Sequence, residues 1–162
     1  MSEVLGIPYR EALIKNRYVQ RSFIQNGQDR RKMTVNLKFS VIREQVEGKS
    51  ILLVDDSIVR GTTSQKIVSL LREHGAKNVY LASTCPPIIS PCHYGIDFPT
   101  ETELVANGRT LKEIEKKLNV EKIFYNEITD VQKALDKKDF CHSCLNGKYP
   151  YPVKKVVHEA RA

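Results

Sequence analysis

A short, continuous apolar run at residues 50–54, Ser-Ile-Leu-Leu-Val, constrains the fold of this chain more than any other feature. Runs of this kind are typical of strands that are buried on both faces of a parallel sheet. A turn-rich segment follows over residues 55–61. Apolar residues then recur at helical spacing over 62–74, and Gly75 is suited to end that helix in the left-handed conformation. With a further strand predicted over residues 78–83, the segment forms a βαβ unit, which predicts an α/β fold with a parallel sheet.

The rest of the chain adds further predicted elements around this unit. They are a strand near residues 9–15, helices over 100–106 and 110–118, a strand over 122–125 and a helix near 129–137. About four strands in all are few for a doubly wound sheet that helices cover on both faces. We therefore expect a sheet that is incomplete on its N-terminal side, with an exposed apolar edge or face, and a helical C-terminal tail.

Length and composition narrow the class of protein. The 162 residues suffice for one domain, and no apolar run approaches the roughly 20 residues that cross a bilayer. The N-terminus lacks the apolar region of a signal peptide, so we expect a cytoplasmic protein without a membrane partner. The excess of 26 basic over 19 acidic residues favours anionic partners. With only 7% aromatic residues and no tryptophan, nucleic acid is not the expected one.

The positive charge is concentrated in residues 17–32, which carry five basic residues and one acidic residue. Apolar periodicity fails from residue 17 to about residue 38, and Asn26-Gly27 interrupts the chain within this stretch. We interpret residues 17–38 as a long mobile loop. In a compact domain such a loop is usually either functional or disordered.

The segment at residues 54–64, Val-Asp-Asp-Ser-Ile-Val-Arg-Gly-Thr-Thr-Ser, has the strongest chemical character. It lies between a predicted strand and a predicted helix, where open α/β sheets bind ligands. The helix N-terminus presents free N–H groups and the positive end of the helix dipole, both of which favour a phosphate. Gly61 allows close approach of the backbone, and hydroxyl donors are offered by Ser57, Thr62, Thr63 and Ser64.

The two carboxylates of this segment, Asp55 and Asp56, would repel a phosphate and therefore need another partner. Sugar hydroxyls or a Mg²⁺ ion would serve, and a sugar phosphate with a metal-bound diphosphate would satisfy every group. Two other interpretations of the residues remain open. One is a surface turn before a capped helix, and the other is a receiver-like signalling module, which the dense hydroxyls fit poorly.

Residues 54–64 resemble the phosphoribosyl pyrophosphate (PRPP) motif of type I phosphoribosyltransferases. Blocks at residues 6–11, 15–19, 21–24, 91–97 and 146–150 also fit members of that family that use ammonia as the acceptor, in the same order. The resemblance implies an α/β fold with a parallel sheet of the type I phosphoribosyltransferase type. It further implies a partial phosphoribosyltransferase domain over 1–126, with a flexible loop at 17–38 and a PRPP loop at 54–64. A C-terminal helix and a cysteine-containing tail would then occupy residues 127–162.

The resemblance also implies roles for individual residues. Asp55 and Asp56 would face the ribose hydroxyls and Mg²⁺, and the 5-phosphate would be held by Arg60, Gly61, Thr62, Thr63 and Ser64. Ser57 is also expected to bind the substrate. In the flexible loop, the catalytic residues Tyr18, Arg21 and Lys38 would meet the pyrophosphate leaving group. The implied reaction is attack of ammonia on C1 of PRPP, which gives 5-phosphoribosylamine and pyrophosphate in the first step of purine synthesis. No protein nucleophile is needed, because catalysis would consist of positioning and charge stabilisation.

Members of this family that use ammonia carry an N-terminal glutaminase domain, which this sequence does not contain. We therefore expect the ammonia, derived from glutamine, to come from an upstream domain or a separate subunit. The resemblance also implies a homo-oligomer. Two alternatives stay open: a PRPP-binding regulator without catalysis, and a fragment or partner subunit that needs an upstream chain.

Four cysteines lie in the C-terminal half, at Cys85, Cys92, Cys141 and Cys144. Without an export signal, metal or thiol chemistry is favoured over disulfides. The spacing of Cys141 and Cys144 suits zinc or an iron–sulfur cluster. The resemblance implies a [4Fe–4S] cluster with Cys92, Cys141 and Cys144 as three of its ligands, while zinc and free thiols remain alternatives and the role of Cys85 stays open.

Overall fold

The computed structural model describes residues 1–15, 39–96, 100–137 and 139–151. The elements in chain order are α1 (Ser2–Leu5), β1 (Leu13–Lys15), β2 (Phe39–Val41), α2 (Arg43–Val46), β3 (Ser50–Asp55), α3 (Thr62–Glu73), β4 (Asn78–Ser83), a 3₁₀ turn (Glu101–Glu103), α4 (Leu111–Leu118), β5 (Lys122–Tyr125), α5 (Ile128–Leu135) and α6 (Ser143–Asn146). None of the helices in these ranges has the length and apolar character required to span a bilayer. The predicted loop over 17–38, with Tyr18, Arg21 and Lys38, lies outside the described residues.

A parallel sheet with the strand order β3–β4–β5 forms the centre of the fold. The pairing is in register along each strand, so that Val54 lies beside Ala82 and Ala82 beside Phe124. Because α3 connects β3 to β4, the predicted βαβ unit and the α/β class are confirmed. A short antiparallel ribbon of β1 and β2 lies apart from this sheet, and the sequence pattern does not predict β2.

One face of the sheet packs against α3 and α4 to form the core. The side chains that point into this core occupy every second position of a strand, because successive side chains of a strand lie on opposite faces of the sheet. The strand residues in this core are Ile51, Leu53, Val79, Leu81 and Ile123, which join Ile67, Val68 and Leu71 of α3 and Ile114 and Leu118 of α4. Gly75 follows the C-cap residue His74 of α3 and adopts φ +86°, the left-handed conformation predicted for the end of this helix.

The opposite face of the sheet carries exposed apolar side chains. Val54 on β3 and Phe124 on β5 are 48% and 46% exposed, although they lie on either side of the buried Ala82 of the central strand β4. This exposed apolar face agrees with the expectation from the low number of predicted strands.

The predicted helix over 100–106 is wrong beyond its first turn. Thr100 and Glu103 form a capping box, which usually starts a helix, but only the 3₁₀ turn follows. Leu104 is extended, and both it and Val105 are fully buried. The N–H of Val105 donates to the carbonyl oxygen of Val59 at 2.8 Å, so the donor that a helix would use is bonded to the loop after β3 instead.

Candidate functional site

The loop between β3 and α3 forms a cavity at the carboxyl end of the sheet. Its volume is about 170 Å³, and it is lined by Asp55, Ser57, Ile58, Val59, Arg60, Gly61, Thr62, Thr63 and Ser64. All the substrate-binding residues predicted from sequence, other than Asp56, therefore line one cavity. Tyr18, Arg21 and Lys38 lie outside the described residues, so their place relative to it remains a prediction.

The first turn of α3 offers its backbone donors to this cavity. Gly61 is the N-cap and has no side chain to accept from these N–H groups, and no acidic residue lies in the first turn. Thr62 and Thr63 are exposed, whereas Ser64 is 3% exposed. Such an N-terminus combines unpaired N–H groups with the positive end of the helix dipole and suits an anion.

Asp55 and Asp56 occupy the end of β3 and the first position of the loop. The N–H of Asp56 donates to Oδ1 of Asp55 at 3.0 Å, and the hydroxyl of Ser57 donates to Oδ1 of Asp56 at 3.1 Å. Burial raises the pKa of Asp55, helped by the neighbouring charge of Asp56 and opposed by the Asp56 N–H. Because a cation or a hydroxyl donor at Asp55 would offset this burial, the pair fits a ligand that supplies one.

The donor set of this pair also fits Mg²⁺. The ion prefers carboxylate oxygens and is commonly held by one or two carboxylates together with substrate phosphates. Asp55 and Asp56 supply two such groups beside the cavity of the loop. The residues present therefore fit a site in which the substrate provides the remaining oxygen ligands.

The turn after β4 fixes the backbone of the two aspartates. The N–H of Thr84 donates to the carbonyl oxygen of Asp55 at 3.0 Å, and that of Cys85 donates to the carbonyl oxygen of Asp56 at 2.9 Å. The hydroxyl of Thr84 also donates to the Asp56 carbonyl at 3.2 Å. No local sequence pattern predicts this support, although the carboxyl ends of two adjacent parallel strands share one edge of the sheet.

Gly61 is held where only a glycine fits. It adopts φ +74°, and a Cβ there would lie 2.8 Å from Cδ2 of Leu118 and 3.1 Å from Cγ2 of Val105. Both of these side chains are fully buried. At Gly61 the loop therefore lies in close contact with α4 and with the segment that follows the 3₁₀ turn.

The cysteines lie where the C-terminal segment packs against the loop after β4. All four are free thiols, and only Cys141 is exposed. The carbonyl oxygen of Cys144 accepts from the N–H groups of Ile89 and Ser90 at 2.9 and 3.0 Å. Burial raises the pKa of the Cys144 thiol, and the neighbouring Cys92 raises it further.

As they stand, these thiols do not make a metal centre. Across the described ranges, no group of three or more histidine, cysteine, aspartate or glutamate side chains is arranged to hold a metal ion. Burial and the charges of Cys92, Cys85 and Cys141 all raise the pKa of the Cys144 thiol, but among the described residues no three thiols are arranged to hold a metal. The [4Fe–4S] cluster implied by the sequence therefore stays a prediction.

Comparison with known proteins decides the family. Residues 4–92 match the family model described as a phosphoribosyl transferase domain. The chain belongs to this family. The family match is consistent with a PRPP motif at residues 54–64 and disfavours a capped surface turn or a receiver module.

Two relatives of high identity are named amidophosphoribosyltransferase. An amidophosphoribosyltransferase from Methanocaldococcus jannaschii is 52% identical over 94% of this chain and 32% of its own length. One from Methanothermobacter thermautotrophicus is 45% identical over 99% of this chain and 34% of its own length. The chain thus spans about a third of the length of the curated relatives it matches.

A solved structure gives the same result for the fold. A glutamine phosphoribosylpyrophosphate (PRPP) amidotransferase from B. subtilis, complexed with ADP and GMP, superposes with a TM-score of 0.82 at 43% identity. The match covers 96% of this chain and 35% of that one. The resemblance stated from the sequence, to the phosphoribosyltransferase portion of such enzymes, is therefore confirmed.

Proposed function

We propose that this chain binds PRPP and forms the phosphoribosyltransferase part of an enzyme that makes 5-phosphoribosylamine from PRPP and ammonia. The observation that carries the proposal is the cavity at the end of β3, where a helix N-terminus lies beside two carboxylates. The relatives named amidophosphoribosyltransferase support the choice of ammonia as the acceptor. The reaction would be the first step of purine synthesis.

The 5-phosphate of PRPP would occupy the cavity over the first turn of α3. There the backbone N–H groups and the hydroxyls of Thr62 and Thr63 would donate to its oxygens, and Gly61 would let the phosphate approach the backbone. Arg60 would add a positive charge at the rim. These donors would hold one end of the substrate and so fix the position of C1.

Asp55 and Asp56 would accept hydrogen bonds from the ribose hydroxyls and hold Mg²⁺. When bound, the ion would neutralise part of the negative charge on the pyrophosphate group. The carboxylates themselves orient the ribose, because their backbone is fixed by Thr84 and Cys85. An orientation that does not change during the reaction lowers the barrier by removing the cost of aligning C1 with the acceptor.

In the reaction the C1–O bond to pyrophosphate breaks and a C1–N bond to ammonia forms. Pyrophosphate leaves with the electron pair, and the nitrogen releases a proton to solvent. Tyr18, Arg21 and Lys38 are proposed to meet the leaving group, where positive charge and hydrogen-bond donors stabilise it and exclude water. No covalent bond to the protein forms.

Ammonia is proposed to come from glutamine through a glutaminase domain or subunit that lies upstream of this segment, in a homo-oligomeric assembly. Residues 1–126 are proposed as the partial phosphoribosyltransferase domain and 127–162 as the C-terminal helix and tail. The free thiols agree with the reducing conditions of the cytoplasm, the proposed location.

A [4Fe–4S] cluster at Cys92, Cys141 and Cys144 is proposed only as a structural element of the tail. The influence of both Cys92 and Cys141 on the Cys144 thiol supports it, whereas the lack of a three-residue metal-binding arrangement among the described residues does not. Anaerobically purified protein with absorbance near 400 nm that fades in air would support the cluster. Colourless protein with stoichiometric zinc, or with neither metal, would refute it.

Turnover tests the reaction. The protein would be incubated with PRPP, Mg²⁺ and ammonium chloride at alkaline pH, and pyrophosphate release would be measured. We expect release that depends on ammonia and that is lost when Asp55 and Asp56 are both changed to Asn. A matched control changes Asp130 and Asp136 of the exposed surface to Asn and should keep full activity. Ammonia-independent release, or equal rates in both double variants, would contradict the proposal.

A further inference from the structure

Glu103 lies far from the loop in sequence, but its carboxylate reaches the rim of the cavity. One oxygen, Oε2, accepts from the N–H of Thr100 at 3.3 Å and from the Thr100 hydroxyl at 3.1 Å. The bond from the Thr100 N–H is one half of the capping box of the 3₁₀ turn, and together with the bond from the hydroxyl it holds the carboxylate in one orientation. The other oxygen, Oε1, is left to accept from a neighbour.

That neighbour is Arg60 of the phosphate loop. Its Nε donates to Oε1 of Glu103 at 3.2 Å across 43 residues of sequence. The four N–H groups on the two Nη atoms of Arg60 make no hydrogen bond to any described residue. Because a guanidinium is a rigid plane with five donors, fixing Nε also fixes the direction of the Nη donors.

The segment that carries Glu103 is itself attached to the same loop. The N–H of Val105 donates to the carbonyl oxygen of Val59 at 2.8 Å, directly before Arg60. Val105 is fully buried, so this attachment is shielded from water. The residue before Arg60 and the side chain of Arg60 are thus both held by residues 100–105.

The ion pair contributes little to the stability of the fold. Arg60 and Glu103 are 44% and 48% exposed, and solvent screens the attraction in pairs this exposed. The hydroxyl of Thr100 and the charge of Arg60 lower the pKa of Glu103, so its carboxylate is ionised at neutral pH. A fixed carboxylate beside the rim of a phosphate site would repel the phosphate and weaken its binding. This cost is offset if the carboxylate also orients the Arg60 guanidinium toward the phosphate.

We infer that Glu103 is a positioning residue, which holds the Arg60 guanidinium so that its Nη donors face an anionic oxygen of a phosphorylated ligand in the cavity. The inference rests on the proposed function, since it assumes that the loop binds a phosphate. Orientation of Arg60 then outweighs the repulsion between Glu103 and the ligand. Arg60 contacts the ligand, whereas Glu103 acts only through Arg60.

A double-mutant cycle with PRPP and Mg²⁺ as the probe tests this inference by calorimetry. Glu103→Ala should weaken PRPP binding about three- to tenfold when Arg60 is present and have no effect in the Arg60→Ala background. Glu103→Gln keeps the reach and an acceptor and should bind within about twofold of the wild type. Glu103→Asp keeps the charge but loses the reach, and it should behave like Glu103→Ala.

Three results would overturn the inference. Tighter binding by both Glu103→Ala and Glu103→Gln would show that the carboxylate only repels the ligand. An equal loss with and without Arg60 would show that Glu103 only caps the 3₁₀ turn. No PRPP binding by the wild-type protein would overturn the proposed function as well, whereas the first two results would leave that function intact.

Discussion

Replacing Gly61 by alanine tests how the loop between β3 and α3 is packed. The backbone adopts φ +74°, which is unfavourable for alanine by about 1–2 kcal/mol. The added Cβ would also lie 2.8 Å from Leu118 and 3.1 Å from Val105, and neither buried side chain can move into solvent. Overpacking of this kind costs about 1–3 kcal/mol, so the free energy of unfolding should fall by about 2–5 kcal/mol in total.

Gly48 provides the matched control for this substitution. It adopts φ +71°, and a Cβ there would have no atom within 4 Å. Gly48→Ala should therefore lose only the backbone contribution of about 1–2 kcal/mol. Urea unfolding of both variants isolates the packing contribution as the difference between them. Equal losses would refute the claim that α4 and residues 104–106 fix the loop through Gly61.

Further substitutions test other parts of the structure. Arg72→Met removes donors to the carboxylate of Glu121 and to the backbone carbonyl of Asn119, and it should lower the free energy of unfolding by about 1–3 kcal/mol. Arg43→Met removes one partner of a solvent-exposed pair with Glu47 and should lower it far less. Similar losses would contradict this. Burial raises the pKa of Asp55, so the folded protein binds a proton on this carboxyl group more tightly than the unfolded chain does. The free energy of unfolding without ligand should therefore fall as pH rises from the ordinary carboxyl pKa to the raised one. Urea unfolding at several pH values should show that Asp55→Asn lacks this component, and an unchanged slope would refute it. Tyr149→Phe removes the hydroxyl that donates to the Pro91 carbonyl and should speed amide hydrogen exchange over residues 141–151 without changing exchange in the sheet.

Local sequence patterns predict the centre of the fold well. The strands at Asn78–Ser83 and Lys122–Tyr125 and the helix that starts at Thr62 follow from apolar periodicity and from Gly75. The loop residues that line the cavity are also visible in the sequence, because adjacent positions in one loop stay together in any fold. Apolar periodicity and turn residues are local properties of the sequence. They therefore predict secondary structure reliably where local interactions determine it.

Tertiary contacts explain what the sequence patterns missed. The strand Phe39–Val41 is only three residues long and pairs with Leu13–Lys15 across a long stretch of chain, so no local pattern marks it. Thr100 and Glu103 have the signature of a helix start, yet residues 104–106 pack against the phosphate loop instead. The bond between Arg60 and Glu103 joins positions 43 residues apart, which a single sequence does not relate.

Titration of the protein with PRPP, in the presence and absence of Mg²⁺, tests whether the cavity after β3 is the PRPP site. We expect saturable binding at one site per chain, and Mg²⁺ should strengthen it. Changing Asp55 and Asp56 together to Asn should abolish this binding, while the Asp130 and Asp136 control should retain it. Folded wild-type protein that does not bind PRPP, or that binds it equally well without these two carboxylates, would contradict the assignment of the cavity after β3 as the PRPP site.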